Sequence, residues 1–152
     1  FTIPYIKEQD VQKTIKVDVP INKIHTPIKK LKILIVEDDE ISKLLMTIAV
    51  KKFAKEILKV STGFDAIETC RNNPDIDLVM MDINMPEMDG YEATQRIRSD
   101  HHNSSLPIIA VTAKAMGSDR QKCLEAGASD YITKPVKMDQ LLSLMRLWIC
   151  KQ

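Results

Sequence analysis

The chain has 152 residues, 44% hydrophobic and 28% charged, which is enough apolar material for one packed core and too much for extended disorder. Twenty-two basic against twenty-one acidic residues leave a net charge of +1, so bulk charge recruits neither nucleic acid nor an anionic membrane. No apolar run reaches the roughly 18 residues of a membrane span, no signal-peptide pattern opens the chain, and Cys70, Cys123 and Cys150 lie far apart, as packed reduced thiols do, without disulfide or metal-ligand spacing.

The near-neutral total conceals two unlike parts. Residues 1–32 hold seven Lys against Glu8, Asp10 and Asp18, a net +4, and three of the seven prolines; the remainder is −3. Short strand patterns at 1–6 and 14–19 are all that this first part offers. It reads as a linker or the tail of a preceding module over 1–30, followed by one domain over 31–152. A start at Phe1 rather than Met fits a piece of a longer parent.

From residue 33 the pattern sharpens. Ile33-Leu34-Ile35-Val36 reads as a strand buried on both faces. A helix follows over 41–53, with Ile41, Leu44, Leu45, Ile48 and Phe53 at helical spacing and facing mostly the core. Lys43, Lys51, Lys52 and Lys55 make that helix basic, a candidate docking patch. A weaker strand covers 56–60. Thr62 and Gly63 open a helix carrying Phe64, Ile67 and Cys70, which ends at Asn72-Asn73-Pro74. The next strand is Leu78-Val79-Met80-Met81, with Met85 and Met88 as further core and loop filling. A helix over 88–98 has Gly90 near its start to supply backbone freedom. His101 and His102 fall in a solvated polar loop. Ile108-Ile109-Ala110-Val111 is a strand, 117–126 a helix stopped by Gly127, and Tyr131-Ile132 a short strand. The helix over 138–149 carries Leu141, Leu142, Met145, Trp148 and Ile149 on one side.

Five strands alternating with five helices predict an α/β fold, a doubly wound parallel sheet covered on both faces. Sites in such sheets form at the carboxyl ends of the strands. There the sequence places Glu37-Asp38-Asp39-Glu40 after the first strand, Asp82 after the third, Thr112 and Ala113 after the fourth, and Lys134-Pro135 after the fifth. If the first and third strands are neighbours, Glu37, Asp38 and Asp82 share one cleft. Like charges so close need a counter-charge, and an all-oxygen set with no His or Cys points to Mg²⁺. With Lys134 and the Thr112 hydroxyl added, the cleft can receive a phosphoryl group.

These residues resemble a response-regulator receiver domain. The resemblance runs from 33 to 151 and rests on Leu34-Ile35-Val36-Glu37-Asp38, Met81-Asp82-Ile83-Asn84-Met85-Pro86 with Met88-Asp89-Gly90, Val111-Thr112-Ala113 and Lys134-Pro135. It implies a five-stranded flavodoxin-like (βα)5 fold with strand order 2-1-3-4-5. It implies Asp82 as the acceptor of phosphate from a phosphohistidine, a phosphorylation switch with self-catalysed transfer and dephosphorylation. Mg²⁺ or Mn²⁺ would be held by Asp38, Asp82 and the backbone oxygen of Asn84, with Glu37 acting through water. Thr112, Ala113 and Lys134 would bind phosphate and switch, Tyr131 would be the rotating aromatic, and Pro135 would follow a cis bond. Asn84 and Lys114 lie where they could touch an attacking water and tune the phosphoryl lifetime.

Residues 1–5, Phe-Thr-Ile-Pro-Tyr, resemble the end of a histidine-kinase ATP-binding domain. The expectation is therefore the C-terminal receiver of a hybrid sensor histidine kinase. Its partners would be a kinase core in cis or trans and a histidine phosphotransfer protein, with no nucleic-acid or membrane contact by this segment. The location would be cytoplasmic, the parent being open to membrane anchoring. A stand-alone single-domain regulator is the alternative within the family. An Asp-nucleophile phosphatase is the enzymatic rival; it would carry a DxD nucleophile motif after the first strand, where Glu37-Asp38-Asp39 stands instead. A flavin carrier is disfavoured because the four acids would repel its phosphate.

Overall fold

A computed structural model describes residues 30–113 and 117–149. Readings of 1–29, Lys114 and Cys150 lie outside the described residues. The elements are β1 (Leu31–Val36), α1 (Glu40–Val50), β2 (Ala54–Val60), α2 (Gly63–Asn72), β3 (Leu78–Asp82), α3 (Gly90–Arg98), β4 (Ile108–Thr112), α4 (Gly117–Glu125), β5 (Asp130–Thr133) and α5 (Met138–Ile149), with 3-10 turns at Lys51–Phe53 and His101–Asn103. The five strands form one parallel sheet in the order β2-β1-β3-β4-β5. The expected doubly wound fold is the observed one.

Every residue of β1, β3 and β4 is buried, which is why these strands read as unbroken apolar runs rather than as alternation. The two sides of β1 serve two cores. Ile33 and Ile35 pack with Met46, Val50, Leu141 and Met145 of α1 and α5. Leu34 and Val36 pack with Ala66, Cys70, Met88, Ala93 and Ile97 on the side of α2 and α3. A small third cluster of Ile83, Ala110, Cys123 and Ala128 seats α4, with Tyr91 and Tyr131 against it. Met80, Met81, Met85 and Met88 are all buried, as core filling should be.

Polar side chains secure the ends. The side chains of Asp39, Thr62 and Asp89 each accept a backbone N–H in the first turn of α1, α2 and α3. Gly127 follows α4 with φ +106°, the left-handed position a C′ glycine fills. The Arg98 guanidinium ties two loops together by donating to the carbonyl of Asn103 in one and to the carbonyl of Gly127 and Ser129 Oγ in the other. At the amino-terminal rim of the sheet, Lys32 Nζ reaches Asn73 and Asp75, and Trp148 Nε1 donates to Asp130 Oδ2 at 3.2 Å. His101 and His102 are exposed, as expected.

Three expectations are corrected, and the outward side of α2 is added. In α1, Ile41, Leu44, Leu45 and Ile48 do not face the core: they are 71%, 58%, 52% and 54% exposed, and Lys43, Met46, Ala49 and Val50 are buried instead. The helix is apolar nearly all round, so its period could not say which stripe turns inward; the short link from β1 through the Asp39 cap sets that phase. The basic residues do not form one helix face either: Lys51 and Lys52 stand exposed in the 3-10 turn after α1. Lys43 is buried against Ser61 Oγ at 2.6 Å, and Lys55 belongs to β2. Phe64 of α2 points outward. In α5 it is Leu144, not Leu142, that packs with Trp148 and Ile149 on the core.

The α1 phase has a measurable consequence. Ile48→Ser should change unfolding free energy by less than about 0.5 kcal/mol, whereas Met46→Ala should cost about 2–5 kcal/mol. Urea denaturation of the two variants distinguishes this packing from the reverse one.

Candidate functional site

The site lies where β1, β3, β4 and β5 end together. The pairing of Val36 with Met81 sets Glu37 and Asp82 side by side one residue further on. The pairings of Asp82 with Val111 and of Thr112 with Thr133 bring Thr112 and Lys134 to the same rim. Glu37 is 0% and Asp82 1% exposed, Thr112 is buried, and Asp38 and Ala113 are exposed. Carboxylate oxygens of Glu37, Asp38 and Asp82 all lie within 4.8 Å of one another.

Lys134 holds this charge together. Its Nζ stands 2.7 Å from Glu37 Oε2 and 3.3 Å from Asp82 Oδ1. The Lys134–Pro135 bond is cis, and Lys134 N donates to Thr112 O at 2.8 Å, fixing the turn that delivers the side chain. Burial pushes the Glu37 carboxyl up, although Lys134 and the Asp39 N–H pull the other way. Burial also works against the Lys134 ammonium, but the Glu37 and Asp82 carboxylates outweigh it and push its pKa up.

The four consecutive acids have four different settings. Glu37 Oε1 accepts from Asp39 N at 3.1 Å. Asp38 faces the cleft. Asp39 caps α1 by accepting from Ser42 N at 2.8 Å, and that bond lowers its pKa. Glu40 pairs with Lys43 at 3.2 Å.

Asp82 has one oxygen engaged and one open. Oδ1 accepts from Asn84 N at 3.3 Å and faces Lys134. Oδ2 is buried with no hydrogen-bond partner among the described residues. An open buried oxygen beside two further carboxylates, with an all-oxygen donor set, fits a hard divalent cation.

Sequence reasoning missed three local features. Glu87 takes a left-handed φ of 67°, and nothing in Pro86-Glu87-Met88 announces it. Asn84 donates its N–H to Asp82 Oδ1, whereas the expectation concerned its carbonyl alone. Gly90 serves a close approach rather than backbone freedom. It has no positive φ, and a Cβ there would overlap the Asp82 carbonyl oxygen and stand 2.7 Å from Ile83 Cα. Tyr131 is half-buried against the α4 cluster, beside the strand that carries Thr112. Among the described residues no helix is long and apolar enough to cross a membrane.

Residues 33–146 match the family model of the response regulator receiver domain. The sensor histidine kinase GacS of Pseudomonas protegens is 37% identical over 120 residues, which cover 77% of this chain and 13% of that protein. Hybrid signal transduction histidine kinase H of Dictyostelium discoideum is 39% identical over 127 residues, 80% of this chain and 9% of that protein. The chain thus spans about an eighth or less of the length of these relatives. Among solved structures, the receiver domain of sensor histidine kinase PA1611 from Pseudomonas aeruginosa, with a magnesium ion coordinated in its active-site cleft, is similar with TM-score 0.73 and 33% identity, covering 80% of this chain and 98% of that one. The receiver domain of Saccharomyces cerevisiae Ssk1, crystallised with the histidine phosphotransfer protein Ypd1, gives TM-score 0.74 and 27% identity, covering 82% and 92%.

The buried pair also predicts a pH dependence. Lys134→Met leaves Glu37 buried without its cation, which should cost about 1–3 kcal/mol near neutral pH. Because the folded-state pKa of Glu37 is raised, its ionisation opposes folding as pH rises through that value. The deficit of the variant should therefore shrink as the medium is acidified toward Glu37 protonation. Thermal unfolding of both proteins across that range measures it.

Proposed function

This chain belongs to the response regulator receiver domain family, and we propose that Asp82 is its phospho-acceptor, taking a phosphoryl group from a phosphohistidine in a phosphorelay. The observation that carries the reading is the buried Asp82 carboxylate, with one oxygen held by Lys134 and Asn84 N and the other open. In the transfer, an Asp82 oxygen forms the new P–O bond as the P–N bond to the donor imidazole breaks, and the electron pair leaves with the imidazole. Lys134 pairs with the transferred group, the Thr112 hydroxyl donates to it, and small exposed Ala113 leaves it room. Asp38, Asp82 and the Asn84 carbonyl, with Glu37 through water, would hold Mg²⁺ or Mn²⁺. When bound, such a cation neutralises charge on the phosphoryl oxygens.

The added charge at Asp82 then draws Thr112 inward, and Tyr131 turns into the space behind it, altering the surface of α4, β5 and α5. We assign 31–152 to this domain and 1–30 to a linker or the end of a preceding module. A hybrid sensor kinase as the parent is supported by relatives in which the matching stretch is 9–13% of the protein. A cytoplasmic position for this domain, with a parent open to membrane anchoring, accords with that parentage.

The proposed partner is a histidine phosphotransfer protein, docked on α1. The exposed Ile41, Leu44, Leu45 and Ile48 form an apolar face. It runs into a groove of about 260 Å³ lined by Ser42, Leu45, Met46, Lys134, Pro135 and Val136, which ends at the acceptor site. The Ssk1–Ypd1 neighbour supports a partner of this kind.

Incubation with Mg²⁺ and a small phosphodonor should add one phosphoryl group by intact mass, and none to Asp82→Asn or after chelation. An undiminished adduct on Asp82→Asn would refute the assignment. Leu44→Asp should slow transfer from a phosphorylated phosphotransfer protein at least about tenfold, the loss expected when a central apolar anchor worth over a kcal/mol is removed. The same variant should scarcely change the small-phosphodonor rate, and equal slowing of both would refute the docking face.

A further inference from the structure

Three unusual backbone features converge on the loop that follows Asp82. Gly90, at its far end, has no room for a Cβ against the backbone of Asp82 and Ile83. Glu87, in its exposed middle, is held left-handed at φ 67°, a conformation that costs a non-glycine residue free energy and persists only where the surroundings enforce it. Gly63, on a different element, is the first residue of α2, and a Cβ there would stand 2.8 Å from Met88 Sδ, 3.1 Å from Met88 Cγ and 3.2 Å from Ala93 Cβ.

Together these features describe a seat. The loop closes on itself through Met85 N to Ile83 O, Met88 N to Pro86 O and Gly90 N to Ile83 O. Its Asn84, Pro86 and Glu87 lie in solvent, so those residues do not fix its distance from the sheet. The turn at Glu87 drives Met88 inward until it is 1% exposed, and Met88 comes to rest on the bare backbone of Gly63. The same loop supplies the Asn84 N–H that orients Asp82 Oδ1.

We infer that the contact of Met88 with Gly63 holds the acceptor loop in register with Asp82, so that Gly63 and Met88 are positioning residues for phosphoryl acceptance. The inference rests on the reading of Asp82 as acceptor and adds that α2 sets the height of the acceptor loop. A methyl on Gly63 would press most closely on the Met88 side chain and less closely on Ala93 Cβ, and on no backbone atom among the nearest three. It should therefore shift the loop by tenths of an ångström and leave the fold intact. Reaction geometry is sensitive on that scale, where about 1 Å of misplacement can cost on the order of a hundredfold in rate.

The test uses the full chain with Mg²⁺ and a small phosphodonor, reading the phosphorylation rate constant by intact mass beside the melting temperature. Gly63→Ala should be folded and slower by about tenfold, and adding Met88→Val, which removes the sulfur, should restore most of the rate. Met88→Leu keeps the volume but crowds Gly63 with a branched carbon. It should be slow as well, and it decides the matter if Gly63→Ala does not fold. A folded Gly63→Ala at the wild-type rate, no recovery in the double variant, or wild-type speed in Met88→Leu overturns the inference. If wild type itself takes no phosphoryl group, the acceptor reading falls and this inference with it; if wild type reacts and Gly63→Ala matches it, only the positioning role falls.

Discussion

One ammonium stands between two buried carboxylates, and much of the molecule is arranged to put it there. Glu37 follows β1, Asp82 ends β3, and these strands are neighbours, so the sheet order itself forces two negative charges together. Lys134 follows β5, two strands from β3. At about 4.8 Å per strand that is roughly 10 Å, a span that calls for a long flexible stem reaching over β4. The hydrogen bond from Lys134 N to Thr112 O holds the start of that stem at the rim. Thr112 consequently lies beneath the only charged bridge the described residues provide between β5 and β3. Any event that adds negative charge at Asp82 must be felt along this bridge.

The bridge is not symmetric. Lys134 is closer to Glu37 than to Asp82, 2.7 Å against 3.3 Å; its ammonium faces Glu37 Oε2 directly, whereas buried Asp82 Oδ2 has neither an ion pair nor a hydrogen-bond partner among the described residues. Glu37 is thus the more fully satisfied partner and Asp82 the more available one. Two carboxylates at one rim are differentiated by their neighbours rather than by their chemistry, as pairs of titratable groups at reactive sites often are.

The sheet was largely legible in the sequence because parallel strands buried on both faces read as apolar runs, and β1, β3 and β4 carry such runs at 33–36, 78–81 and 108–111. The site was legible for a topological reason: strand ends are where such sheets place chemistry, and Glu37, Asp38, Asp82, Thr112 and Lys134 stand there. The phase of α1 was not legible, because Ile41, Leu44, Leu45 and Ile48 compete with Met46, Ala49 and Val50 for the inside, and a helical period cannot choose between two apolar stripes. The roles of Gly63 and Gly90 were hidden for another reason. Each lacks a side chain to make way for an element distant in sequence or for backbone before it, and a missing atom leaves no trace in a local pattern. Glu87 belongs with them, since its backbone angle is imposed by where Met88 must go.

Trp148 is the single tryptophan of the chain, and its indole is tied to Asp130 at the start of β5, the rim opposite the carboxylates. The molecule therefore carries its one strong intrinsic fluorophore where α5 is stitched to the sheet edge and as far along β5 as possible from the reactive end. Its emission is a gauge of whether that seam is closed. An optical signal on phosphorylation would therefore report a change at the rim opposite Asp82, where α5 meets the start of β5.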